Sequence, residues 1–407
     1  MGPRSASHVF LTSAPRAGLY GWAIAILSVM ILLGFFRAGV WLVDTHGQPK
    51  LTDFFLFWSA GYLVSHGPPA LAYDLATVQH ISAETILAPV TLTFAYPPPA
   101  LFVFAPLGLV PYVPAAITWI AIGFCLYLAA VGAIIPRFSA LAVAAAAPTA
   151  WWAAFTMQTG FFTAALIGGS LVLLERRKVA AGIVLGLLIF KPHFAILFPV
   201  VLIAARQWRV LASAIAAVTA LVVASLLAFG SETWIRFYRS LIDTSSVNLV
   251  GGNMGWPTIE SFFGVVRSIG GSAEIAWTCH AVVAATTALG VCLLWRRDDI
   301  RYSLKASALS LGTFVVTPYV RGYDLVGLAI PFAFLVRSSL ESGFLRGERT
   351  ALVGLLIGSS LLVSFGQPLP CGPALIAALG LCMALHVRPA SRAPAPDRDR
   401  HNVYLRA

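Results

Sequence analysis

The sequence predicts an all-α polytopic membrane protein. Three observations carry that expectation: the composition, the length of the uncharged runs and the placement of the basic residues. Of 407 residues, 59% are hydrophobic and 11% charged, whereas a soluble protein is close to a quarter charged. Such a balance excludes a soluble globular protein and a disordered chain. The runs 18–36, 113–135, 138–174, 210–230 and 275–295 carry no charge, and each is about as long as the roughly 20 residues that cross a hydrocarbon core about 30 Å thick. None alternates with the two-residue period of a transmembrane β-strand.

The net charge of +11 would suit a nucleic-acid partner if the basic residues clustered on one patch. Instead they sort by side of the membrane. With a cytoplasmic N-terminus, 19 of the 27 Lys and Arg residues fall inside, leaving Arg37, Lys50, Arg137, Lys191, Arg236, Arg239, Arg267 and Arg321 outside. The positive-inside rule accounts for the surplus, so no nucleic-acid partner is expected.

Taken in order, residues 1–17 form a cytoplasmic N-terminal segment and the run from Gly18 an uncleaved first span, since Arg37 to Asp44 offers no small-residue cleavage site. An outer loop follows at about 44–97. Within it Asp53 precedes Phe54, Phe55, Leu56, Phe57 and Trp58, a short aromatic helix suited to lie on the membrane surface. The 37 residues from Phe138 to Leu174 would extend about 55 Å as one helix, too far for a single crossing. The chain turns back at Pro148 or, as the topology favours, at Gln158-Thr159-Gly160. The parity between Pro97 and Gln158 closes only if one apolar segment, with Pro98 to Val110 the candidate, is re-entrant.

The stretch Val179 to Ala205 is a hairpin broken at Lys191-Pro192-His193, each half too short for a full span. A second outer loop, about 231–274, places Ile259, Phe262, Phe263, Val266 and Ile269 on one face, the pattern of another surface-lying helix. Further spans bring the total to about twelve in a single domain, 18–387, before a disordered cytoplasmic Pro/Arg tail at 388–407. The five cysteines, Cys125, Cys279, Cys292, Cys371 and Cys382, form no ligand pair or disulfide framework. Asp397-Arg398-Asp399 is a solvated part of the tail; no cofactor is expected and nothing demands a metal, although Asp53 with a second acidic residue could bind one.

Ionisable residues at membrane depth are functional candidates, and here they share the outer side. Asp53 is the leading carboxylate: it could act as a general base on a hydroxyl, or simply sit against the dipole of the helix that it starts. Lys191 and His193 could grip a phosphate, or Lys191 could snorkel to the interface. Arg321, beside Tyr323 and Asp324, is a second cation, unless it pairs with Asp324. Gln158 could hydrogen-bond a sugar. Asp74 reads as the cap of a helix starting at Leu75.

Several of these residues stand in motifs: Asp53 with its aromatic helix, Tyr73-Asp74, Tyr96-Pro97-Pro98-Pro99, Pro106-Leu107-Gly108-Leu109, Gln158-Thr159-Gly160, Lys191-Pro192, Arg206-Gln207-Trp208-Arg209, Thr317-Pro318-Tyr319 and Tyr323-Asp324-Leu325. In this order they resemble glycosyltransferase family 87, membrane enzymes of the GT-C class that include the mycobacterial phosphatidylinositol-mannoside mannosyltransferases. The resemblance spans about Gly18 to Arg337. It implies a GT-C-type bundle in a bacterial inner membrane, with both termini cytoplasmic and the active site on the outer face.

The family's chemistry implies inverting transfer of a sugar, usually mannose, from a polyprenyl-phosphate donor to a lipid or glycan acceptor. By the same resemblance Asp53 is the catalytic base, and the regions of Lys191 and of Tyr323-Asp324 lie near the donor phosphate. The expected substrate-binding set is Lys191, His193, Arg321, Tyr323, Asp324, Gln158 and Tyr96. Two departures concern the phosphate ligand: His193 stands where members often have Gln, and Val320-Arg321-Gly322 where they often have a His. The rival reading is a secondary transporter or lipid flippase for an amphiphilic anion. It fits less well, because the charges gather at outer helix ends rather than at broken helices on the midplane.

Overall fold

The computed structural model describes residues 5–88, 90, 94–252, 255–363, 370 and 372–387. Cys371 and the tail 388–407, with Asp397-Arg398-Asp399, lie outside the described residues. The described chain is helical almost throughout, with two isolated bridges, Val43 with Pro49 and Ile259 with Arg321, as its β contacts. The protein is thus an all-α polytopic membrane protein. Among the described residues five helices are long and apolar enough to cross a bilayer: Gly18–Arg37, Tyr112–Ile134, Trp208–Val250, Ala273–Arg296 and Gly322–Ser342. Phe138–Ala146 and Pro148–Thr156, bent by 56°, form a sixth if counted as one. A total of about twelve requires the shorter apolar helices, such as Gly160–Leu174 and Gly372–Val387, to cross as well.

Side-chain contacts sort the helix ends into two sets. At one end Tyr112 exchanges a hydrogen bond with Thr52 at 2.7 Å, Gln158 meets Asp53, Thr317 donates to the His193 carbonyl at 2.9 Å, and Gly372 donates to Glu260 at 2.6 Å. At the other, Arg337 pairs with Glu175 and His386 with Glu348. Pro148 bends its helix without reversing it. The chain reverses instead at Met157, whose left-handed φ of 56° ends the helix, so that Gln158 sits at the turn.

Residues Pro98–Leu109 begin and end at the Asp53 end, between Tyr96 and Tyr112, and so do not cross. This re-entrant segment packs on the aromatic helix Phe54–His66. A side chain on Gly61 would strike the Phe104 carbonyl, so the close approach depends on glycine. Because the segment returns to its own side, Tyr112–Ile134 leads away from the Asp53 end. Ser139, just after it, packs beside Gly18. Arg137, expected on the side of Asp53, therefore lies at the opposite end, the end of Gly18.

Both expected surface helices differ from expectation. Phe54, Phe55, Phe57, Trp58 and Leu63 are buried. Phe57 stacks on Phe104 with ring centroids 4.9 Å apart and packs against Trp119 at 5.8 Å. An aromatic helix with almost no polar face has nothing to present to the headgroup layer, and neighbouring helices cover it. In the second outer loop the helix is only Phe262–Ser268; Ile259 and Phe263 are buried and Ile269 is exposed. The helix Trp208–Thr244 is broken at Gly230, whose φ of 78° and ψ of 166° are not helical, so the stretch after Gly230 opens with its own helical segment, which runs to Thr244 and into a π-helix at Ser245–Val250.

Candidate active site

Asp53 is the residue at the N-terminus of the aromatic helix, but its carboxylate makes no capping bond there. It accepts instead from Gln158 Nε2 at 2.9 Å. The Gln158 turn is held in place in part by Trp119, whose indole donates to the Met157 carbonyl at 3.1 Å. Tyr96 contacts the same turn, its hydroxyl 3.1 Å from Thr159 Oγ1 and 3.5 Å from Gln158 Oε1. Burial pushes the Asp53 pKa up, while the Gln158 bond and the positive field of Arg321 pull it down. By contrast Asp74 is a cap: it accepts from the Thr77 backbone at 2.9 Å, as expected.

Lys191 neither snorkels nor stands free. It is 4% exposed, breaks the hairpin helix, and pairs with the equally buried Asp324. Its ammonium also lies over the Tyr323 and Phe194 rings, 5.1 and 5.3 Å from their centroids. The second Asp324 oxygen accepts the backbone N–H of Arg321 at 3.1 Å. The expected Arg321–Asp324 ion pair is therefore replaced: Lys191 takes the carboxylate, and the Arg321 guanidinium turns away to Thr258, 2.5 Å distant. A buried carboxylate needs the nearest desolvated cation, and the hairpin apex supplies it.

These residues share one cavity of about 280 Å³, lined by Asp53, Tyr96, Gln158, Lys191, His193, Arg321 and Tyr323. Asp324 supports it from behind Lys191. All eight residues singled out in the sequence thus come together. Sequence reasoning passed over Asn248 and Tyr319, which also line the cavity. Asn248 carried little signal, an amide in the mixed stretch Asp243-Thr244-Ser245-Ser246-Val247-Asn248-Leu249-Val250. Among the described residues no cluster of three or more His, Cys, Asp or Glu side chains is placed to hold a metal ion.

The sequence model of glycosyltransferase family 87 matches residues 94–318, more than half of the chain. The chain belongs to glycosyltransferase family 87. It is a membrane glycosyltransferase. No curated protein and no solved structure matches it. The matched segment of this family 87 chain contains Tyr96, Gln158, Lys191 and His193. Asp53 precedes it, while Arg321, Tyr323 and Asp324 follow it, and the fold brings all three stretches to the cavity.

Proposed function

We propose that the enzyme transfers a sugar, mannose in the first instance, from a polyprenyl-phosphate donor to a lipid or glycan acceptor, with inversion, at the outer face of a bacterial inner membrane. One observation carries the reading: a half-buried carboxylate, whose one hydrogen-bond partner among the described residues is the neutral Gln158, lines the same cavity as an arginine, at the ends of apolar helices. Asp53 takes the proton of the acceptor hydroxyl as its oxygen attacks the anomeric carbon. The bond from that carbon to the phosphate oxygen breaks on the opposite face of the ring, and the polyprenyl phosphate leaves with the electron pair. Arg321 meets the charge developing on the phosphate. Lys191, committed to Asp324, fixes the Arg321–Asp324 turn and adds positive potential rather than a direct grip.

Cavity size favours the same reading. At about 280 Å³ it is at the small end for a ligand site, with room for a sugar-phosphate head and not for a lipid tail. A second, mostly apolar cleft of about 670 Å³ includes Leu325, next to Asp324, and continues along Leu328, Phe332, Val336 and Leu340. An isoprenoid chain would find apolar walls there.

The test is reconstitution of the purified enzyme in vesicles with undecaprenyl-phosphate mannose, glucose or galactose and a panel of lipid and glycan acceptors, with products read by mass and anomeric configuration by NMR. One donor should give a product of inverted configuration. Transfer from a nucleotide sugar instead, or passage of labelled donor across the bilayer without bond formation, would refute the reading.

A further inference from the structure

Nine buried side-chain nitrogen or oxygen atoms have no hydrogen-bond partner among the described residues. Two of them, Asn248 Oδ1 and His193 Nε2, belong to residues lining the Asp53 cavity; the others are scattered elsewhere. A buried polar atom left without a partner destabilises the fold, so such atoms are rare and call for an explanation. Asn248 is 6% exposed, too enclosed for bulk water to satisfy it. Its backbone is in the six-residue π-helix Ser245–Val250 at the end of the long helix from Trp208, and π segments recur at functional sites. Leu241, Ser245 and Leu249 from this same region also border the cavity, so the π-helix forms one wall and His193, at the hairpin apex, part of another.

We propose that Asn248 and His193 form the subsite that reads the hydroxyl groups of the donor sugar. This rests on the transferase reading and deepens it. The polar groups already assigned there are engaged: Gln158 holds Asp53, Lys191 holds Asp324, and Arg321 donates to Thr258. Asn248 Oδ1 and His193 Nε2 are the buried atoms of the cavity lining that have no partner among the described residues, and a hexose supplies hydroxyls that both donate and accept. A neutral donor–acceptor pair also suits an uncharged sugar ring better than a further cation. Selectivity follows, because a sugar lacking the matching hydroxyl leaves these atoms unpaired in the complex.

The test measures binding, which requires no turnover. Wild-type enzyme, Asn248→Leu and His193→Phe in nanodiscs are titrated with undecaprenyl-phosphate mannose, glucose and galactose, then with the 2-, 3-, 4- and 6-deoxy forms of the tightest binder. Unfolding midpoints and product formation are recorded alongside. Wild-type enzyme should favour the parent sugar over at least one deoxy form by roughly tenfold or more, and one or both variants should lose most of that preference. The midpoints should hold or rise, since an apolar side chain of similar size removes an unmet polar group.

Preference retained by both variants at every position, or a wild-type enzyme indifferent to all four deoxy forms, overturns the subsite. A variant that merely unfolds is replaced by Asn248→Thr or His193→Gln, judged by the same ratio. If discrimination behaves as expected while no donor gives product, the subsite stands and the transfer reading falls. If no polyprenyl-phosphate hexose binds the wild-type enzyme, both fall.

Discussion

The two ends of the helix bundle use similar polar residues to opposite effect. At the end remote from Asp53 three carboxylates, Glu175, Glu341 and Glu348, are held in closed networks. Glu175 accepts two bonds from Arg337, at 2.9 and 3.1 Å, and Glu341 accepts from Arg337 and Ser303. Glu348 accepts from Ser339 at 2.6 Å and from the Leu345 N–H at 2.8 Å, with His386 2.7 Å away. At the Asp53 end, the carboxylate facing the cavity has one neutral partner, and Asn248 and His193 retain unpartnered atoms. Closed networks hold helices together, whereas open ones are available to a ligand. Lys191–Asp324 is the exception that belongs to both categories, a closed pair that braces an open site.

That exception gives the largest expected change in stability. Asp324→Asn leaves the Lys191 ammonium buried without a counter-charge and should destabilise the protein by about 3–5 kcal/mol, read as a lower unfolding midpoint and loss of folded protein on gel filtration. Replacing both partners, as Lys191→Met with Asp324→Leu, should restore much of the stability but not the transfer rate. Next in size, Arg321→Gln should raise the donor KM by roughly tenfold through loss of a phosphate contact, with little change in midpoint.

The remote end should show the converse. Arg337→Met, which opens a partly exposed network, should lower stability by about 1 kcal/mol and leave kcat/KM unchanged. The smallest expected effect is a shift in pH dependence. Burial raises the Asp53 pKa, so protonation should silence the base at a higher pH than for an ordinary aspartate. Gln158→Leu removes an influence that lowers the pKa, so the acid limb of the pH–rate profile should move to higher pH. A shift to lower pH, or none, would mean that Asp53 does not set that limb.

The architecture was legible because uncharged runs of spanning length have few alternatives. What faced lipid and what faced protein was not. The aromatic helix from Phe54 satisfies the composition of an interfacial segment as well as that of a core helix, and the deciding contacts, from Phe104 and Trp119, come from far along the chain. At the site, individual candidates such as Asp53 and Lys191 stood out because charge in an apolar context is costly. Their pairings did not. Arg321 and Asp324 are three residues apart, yet the carboxylate is taken by Lys191, which lies 133 residues away in sequence. Asn248 was obscured for a related reason: an amide in a stretch of mixed polarity, close to Asp243, Ser245 and Ser246, acquires meaning only when its surroundings show that nothing among the described residues satisfies it.

The central claim, that Asp53 removes the acceptor proton, is tested most directly by Asp53→Asn assayed for donor binding and sugar transfer in the same preparation. The isosteric amide keeps the size of the side chain and cannot take up a proton. Donor affinity within about threefold of wild type with transfer reduced by roughly 10²–10⁴-fold is the expected result. Transfer persisting near the wild-type rate would contradict it.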